Sequence, residues 1–313
     1  MKSPGLFTCQ LLIATLAASV IGINPYLSAA KDVPKVPFLI ERNRVIIPTS
    51  VNGSEPLNLI LDTGMRFDGV YLFHKNLANV IDTTGAIEVR VPGAGAGEAS
   101  TAIMIETGQL GFGEVTVDSQ RVLIGQSAHT QQFLTDGIIG WNLFGHYIVK
   151  IDYDQQVILL HDTSYVPEAT DWHEIPIELR KDLPFLEAKV EVVEGEEVSI
   201  LCYIDLASGD ALELLVKPEQ KFTLPATLVP RNLGTGLSGD INGHSGYSYK
   251  LSLGPYDLHN VATAFAPAEV RSKQEGADGI LGNDSIRRFN VIFDYPHQRL
   301  LIKPNKAFDT PFE

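Results

Sequence analysis

Residues 136–160 read DGIIGWNLFGHYIVKIDYDQQVILL, and residues 278–302 read DGILGNDSIRRFNVIFDYPHQRLLI. The segments align without a gap and share Asp-Gly-Ile, a glycine two residues later (Gly140 and Gly282), then Val, Asp-Tyr, Gln and Leu. Each finishes in a strand-like run, Val157 to Leu160 and Leu300 to Ile302, after an Asp-Tyr turn. The match extends upstream. Gly111 in QLGFGEVTV corresponds to Gly254 in SLGPYDLHNV, and Leu59-Ile60-Leu61-Asp62 corresponds to Cys202-Tyr203-Ile204-Asp205. Asp62 precedes Asp136 by 74 residues, and Asp205 precedes Asp278 by 73. Landmarks in one order at near-equal spacing define a domain duplication, with a period of about 142 residues that is far too long for a solenoid.

The composition agrees with two β-rich halves. The chain has 313 residues, 44% hydrophobic and 20% charged, which is enough for two modest cores. Its 27 glycines and 18 prolines are spread along the chain and favour short strands and turns over long helices. Each copy opens with a strand-turn-strand unit: Arg44 to Val51, Asn52-Gly53 and Leu57 to Leu61, then Leu186 to Val193, Glu194-Gly195 and Val198 to Ile204. Short helices are expected only after the two glycine-ended triplets, from Asn142 and from Asp284, with those side chains as N-caps. A polar, acidic stretch interrupted by Pro167, Pro176 and Pro184 places the boundary near Asp171, giving halves 31–170 and 171–313.

Residues 1–30 have the layout of a secretory signal peptide: Lys2, an apolar run from Leu6 to Ile23, and a small-residue site at Ser28-Ala29-Ala30. Cleavage there predicts an exported protein, periplasmic or extracellular; the alternative is an uncleaved anchor. Cys9 lies in this segment and Cys202 stands alone in an apolar run, so no internal disulfide is expected and Cys202 reads as a buried, inert thiol. No His or Cys spacing suggests a metal, and no organic cofactor is implied. A formal net charge of −14 disfavours nucleic acid and anionic lipid as partners.

The chemistry points to the strand ends. Asp62 closes an apolar strand and is followed by Thr63 and Gly64. A carboxylate there is costly unless neighbours hydrogen-bond it or share its charge. Thr63 supplies a hydroxyl, and Gly64 lets backbone amides come close. Asp205 holds the matching place in the second copy. If the copies pack about a pseudo-two-fold axis, the carboxylates meet, share one proton and titrate as a pair. Such a pair activates a water and polarises an amide carbonyl.

Strand-Asp-Thr-Gly, followed some seventy residues later by two apolar residues and Gly (Ile138-Ile139-Gly140, and Ile280-Leu281-Gly282 in the second copy), resembles the aspartic proteases. The resemblance runs roughly from Val36 to Pro304, and the chain looks like the bacterial exported, retropepsin-like group, with the halves fused in tandem. It implies an all-β chain of two pseudo-symmetric closed β-barrels with a cleft between them. It also implies Asp62 and Asp205 as catalytic residues, a peptide or protein substrate and a monomeric endopeptidase. Glycine-rich hairpins would cover the substrate, Val91 to Glu98 with Gly95 in the first half and Leu233 to Gly246 with Gly236 in the second.

The second loop departs from that pattern. Leu206 and Ala207 stand where the family has Thr and Gly, with Ser208 as a candidate replacement donor. Arg66 follows the first triplet closely, and if turned inward it would depress the pKa of the pair. The alternative function is therefore a weakened or inactive peptide- or protein-binding module using the same cleft. Gly234-Thr-Gly236-Leu-Ser-Gly239 matches a dinucleotide-loop pattern, but no strand precedes it and no helix follows, so it reads as a hairpin loop. Asp152 and Asp294 read as turn formers, and Asp136 and Asp278 as structural hydrogen-bonding residues.

Overall fold

The computed structural model describes residues 33–91, 99–167, 171–271 and 276–312. The signal-peptide reading of residues 1–30, Gly95 and all but the first residue of the Val91 to Glu98 hairpin lie outside the described residues.

The chain is nearly all β and forms two rings of strands with one connectivity. The first contains β1 (Arg44–Val51), β2 (Leu57–Leu61), β3 (Gly69–Leu72), β4 (Ser100–Phe112), β5 (Val115–Gly125) and β6 (Gly137–Ile139). They pair in the order β1-β2-β6-β3-β5-β4, and β4 returns to β1 through Ser50↔Gly111 and Val51↔Leu110. The second contains β7 (Leu183–Glu191), β8 (Glu197–Asp205), β9 (Leu212–Val216), β10 (Gly239–Leu253), β11 (Tyr256–Pro267) and β12 (Gly279–Gly282). Its order, β7-β8-β12-β9-β11-β10, is the same, and β10 closes on β7 through Val190↔Leu251. Closure leaves no open edge inside either ring.

Local chemistry explains the turns. Asn52 and Gly53 both take positive φ, 51° and 76°, as a tight hairpin with right-handed strand twist demands. β7 begins at Leu183, three residues earlier than expected, directly after a turn in which Lys181 and Asp182 have positive φ. Pro184 does not interrupt it, because it faces Leu179 of a short flanking strand. Two α-helices among the described residues, α1 (Trp141–Phe144) and α2 (Asn283–Ile286), lie where expected, but their caps are Gly140 and Gly282, with no side-chain cap. Asn142 is buried inside its helix instead, and Asp284 pairs with Arg287 at 2.6 Å.

The Asp-Tyr units of the two copies assemble one six-stranded sheet between the rings. Ile148–Asp152 pairs antiparallel with Phe289–Asp294 in the register Val149↔Phe293, Lys150↔Ile292, Ile151↔Val291. Val157–His161 and Lys35–Pro37 continue the sheet on the first-half side, and Arg299–Pro304 and His173–Pro176 on the second. A cut near Asp171 falls between His161 and His173, where the chain passes from one flank of the sheet to the other. The largest apolar cluster among the described residues runs through both rings and this sheet. Cys202 lies in it, and burial pushes its thiol up to about 12. Asp152 and Asp294 each accept an amide of the following turn, and Asp136 accepts the Asn58 amide at 2.8 Å. Asp278 accepts the Leu201 amide and pairs with Lys217 and Lys221.

Candidate active site

Strand alternation decides which side chains face the cleft. Leu59 and Leu61 of β2, and Cys202 and Ile204 of β8, point into the common core, so Ile60 and Tyr203 point the other way. Asp62 and Asp205 share the parity of Ile60 and Tyr203. Each rests on the parallel neighbour that ends in the glycine triplet: Leu61 pairs with Ile139, and Asp205 with Gly282. The Asp62 amide donates to the Ile139 carbonyl at 2.8 Å. A Cβ on Gly140 would stand 2.0 Å from the Asp62 carbonyl oxygen, so this close approach needs glycine.

The carboxylates are held by backbone amides. Gly64 N–H donates to Asp62 Oδ1 at 2.6 Å. Ala207 and Ser208 N–H donate to Asp205 Oδ1 at 2.9 and 3.2 Å. The Ser208 hydroxyl, expected to stand in for a missing donor, instead faces the Asp210 amide at 3.4 Å. Between the loops, Thr63 Oγ1 donates to the Ile204 carbonyl at 2.7 Å and accepts the Leu206 amide at 3.2 Å. The reciprocal hydroxyl is missing, because the matching residue is Leu206, whose apolar side chain is buried in the core.

The electrostatics separate the two aspartates. Burial, followed by the negative charge of Asp205, pushes the Asp62 carboxyl up to about 7 against the opposing pull of the Gly64 amide. Arg44 reaches across from β1 and donates Nε to the Ala207 carbonyl at 2.6 Å. Burial lowers the pKa of its guanidinium, while the charges of Asp205 and Asp210 oppose that shift. The guanidinium of Arg44 thus lies on the Asp205 side of the pair, where two backbone amides also face the carboxylate. Arg66 does not face the pair: it is exposed, and its Nη1 approaches the Lys181 carbonyl at 3.5 Å.

A hairpin of the second half, from Val229–Gly236 into β10, carries Leu237 and Ser238 at its tip, with Gly236 at the end of its first strand. Leu237 packs onto the first-half cluster of Tyr71, Phe73, Ala102 and Leu123, and its carbonyl meets His129 Nε2. A cavity of about 650 Å³ opens on the second-half flank beside Asp210, Arg231, Tyr247 and Thr263; neither Asp62 nor Asp205 lines it. Among the described residues no group of three or more His, Cys, Asp or Glu side chains could hold a metal, and no helix is long and apolar enough to cross a membrane.

Sequence reasoning thus places Asp62, Thr63, Gly64 and Asp205 together, with Ser208 contributing its amide and Gly236 in the hairpin that packs on the first half. It missed Arg44, Tyr203, Leu237 and His129. The duplication offset sets Tyr203 against Ile60 and would have drawn notice to a phenol beside the second Asp; nothing local marks the other three. No protein-family model matches the chain, and no curated protein matches it.

Proposed function

We propose that this protein is an exported aspartic-type endopeptidase that activates water between Asp62 and Asp205. The observation that carries the reading is the Asp62 carboxyl, held up to about 7 by burial and by the charge of Asp205. A pair sharing one proton offers a base and an acid in the same site. In this reading the anionic member on the Arg44 side takes a proton from the attacking water. Asp62 donates its proton to the amide carbonyl, and the pair then returns a proton to the leaving nitrogen. Thr63 holds the two loops in register, and no metal or cofactor takes part. The monomeric state and the periplasmic or extracellular location are part of the same proposal.

The reading is tested by incubating the mature chain with a mixed peptide library from pH 3 to pH 8, beside Asp62→Asn and Asp205→Asn. Cleavage by the parent below about pH 7 and a loss of at least about 100-fold in each variant are expected. A parent that cuts nothing, or variants that cut as well as it does, would overturn it. One observation favours a second reading, a peptide-binding module: Leu206 removes one of the two hydroxyl contacts that would fix the loops symmetrically. Peptide binding without cleavage distinguishes that case.

A further inference from the structure

The apolar clusters on the cleft faces of the two halves are built by different means. In the first half, Ile60 and Ile138 lie on the cleft face with Tyr71 and Phe73. The Tyr71 hydroxyl is already paired with Ser100 Oγ at 3.1 Å, so this wall presents carbon. Its occupant, Leu237, comes from the other half on a hairpin turn. That turn is seated deeply, with Ser238 only 2% exposed and His129 Nε2 against the Leu237 carbonyl.

In the second half, the counterpart of Ile60 is Tyr203, and its own ring takes the equivalent place in the cluster. It packs on Phe185 with centroids 5.8 Å apart, alongside Leu215 and Ile280, with Leu233 of the hairpin against the same cluster. The phenol reaches as far as the first loop. A Cβ on Gly64 would stand 2.4 Å from the Tyr203 hydroxyl and 2.9 Å from Asp62 Oδ1. Tyr203 belongs to β8, paired on both sides with β7 and β12, and cannot withdraw without breaking the ring. Leu237, by contrast, sits at a hairpin tip between two strands rather than within one.

We infer that the cleft selects peptides asymmetrically: the pocket beside Asp62 takes a bulky apolar side chain in the place Leu237 holds, and the pocket beside Asp205, filled by Tyr203, takes only a small one. Leu237 is thus an internal competitor and Tyr203 a fixed specificity residue. The inference rests on reading the cleft as a peptide site, whether or not the peptide is cut. It goes beyond that reading by naming which side chains the site accepts.

The test is equilibrium binding of fluorescent octapeptides whose two central residues are Leu-Ala, Ala-Leu or Leu-Leu, in either order of presentation, to the parent, Leu237→Ala and Tyr203→Leu. The parent should bind its preferred bulky-small peptide about tenfold more tightly than Leu-Leu. Leu237→Ala should tighten that peptide by about a further tenfold, because the occupant that must first leave has been removed. Tyr203→Leu should bring Leu-Leu to within about threefold of the bulky-small peptide. Equal parental affinity for Leu-Leu, unchanged discrimination in Tyr203→Leu, or unchanged affinity in Leu237→Ala would each overturn the inference. If Tyr203→Leu fails to fold, the Leu237→Ala arm decides. Binding with this pattern but without cleavage defeats only the hydrolytic reading, cleavage without the pattern defeats only this inference, and no binding by either the parent or Leu237→Ala defeats both.

Discussion

Asp62 carries the clearest pH signature in the chain. Its carboxyl titrates near 3.8 when exposed and near 7 when folded, because burial and the Asp205 charge both disfavour its anion. Between those values the native state binds a proton that the unfolded chain has lost, so stability from this group is full below about pH 4 and lost as pH rises through 7. Asp62→Asn should therefore leave the melting temperature nearly unchanged at pH 4 and raise stability by about 1–3 kcal/mol at pH 7.5. Thermal melts at the two pH values check this; equal effects at both would contradict the assignment. Tyr295 gives a second case at this scale. Its pseudo-symmetric partner Tyr153 donates its hydroxyl to Asn283 Oδ1 at 2.6 Å. Trp141 stands where Asn283 would be, and the buried Tyr295 hydroxyl has no partner among the described residues. Tyr295→Phe should stabilise the protein by about 1 kcal/mol, the removed desolvation penalty, read as a higher denaturation midpoint. The aspartates were legible because Asp-Thr-Gly at a strand end is a local pattern. The orphaned hydroxyl was not, since it depends on which residue of the other half arrives opposite.

At the scale of elements, the sequence foretold the paired strands well and their partners poorly. Alternation marked β2 and β8, the Asn52-Gly53 pair marked a hairpin, and the triplets marked the strands that lie beside the aspartates. The caps of α1 and α2 were misjudged because the backbone approach that demands Gly140 and Gly282 also puts glycine at the cap position. Arg44 sits at the start of an apolar strand and looks like a solvated end, until the second loop closes over it. Thr63 bonds to the backbone of the second loop on both sides of Asp205. Thr63→Val keeps the shape but leaves the Ile204 carbonyl and Leu206 amide without their partner, so a loss of about 2–4 kcal/mol is expected in denaturant unfolding. A change below about 0.5 kcal/mol would show that the loops are held by other means. Arg288 fixes a further element. Its guanidinium is fully buried, donates to the carbonyls of Ala307, Thr310 and Pro311, and lies 3.5 Å from the centre of the Phe312 ring. Arg288→Met should free residues 305–312, seen as early proteolysis of that segment, with about 2–4 kcal/mol of lost stability.

At the scale of the whole molecule, the duplication was readable and the way the copies share structure was not. A period of about 142 residues shows two similar units; it does not show that their Asp-Tyr strands form one sheet. That sheet makes the halves interdependent. Val149 and Ile151 are fully buried against the partner strand, the core is continuous across both rings, and Arg44, Thr63 and Tyr153 each bond to the other half. The protein should unfold in one calorimetric transition whose van't Hoff and measured enthalpies agree, whereas two resolved transitions would show independent halves. The isolated first half, residues 33–167, makes the sharper test. Its Ile148–Asp152 strand would present an unpaired apolar edge, and such edges recruit another strand. The native register centres on Lys150↔Ile292, so two copies of the first half can pair antiparallel about Lys150 in the same geometry. Two facing Lys150 residues would weaken that pairing at low salt and lose their repulsion as salt screens it. Sedimentation of this half should therefore show a dimer that tightens with ionic strength. A salt-independent, folded monomer would mean that the shared sheet is dispensable and that each ring stands alone.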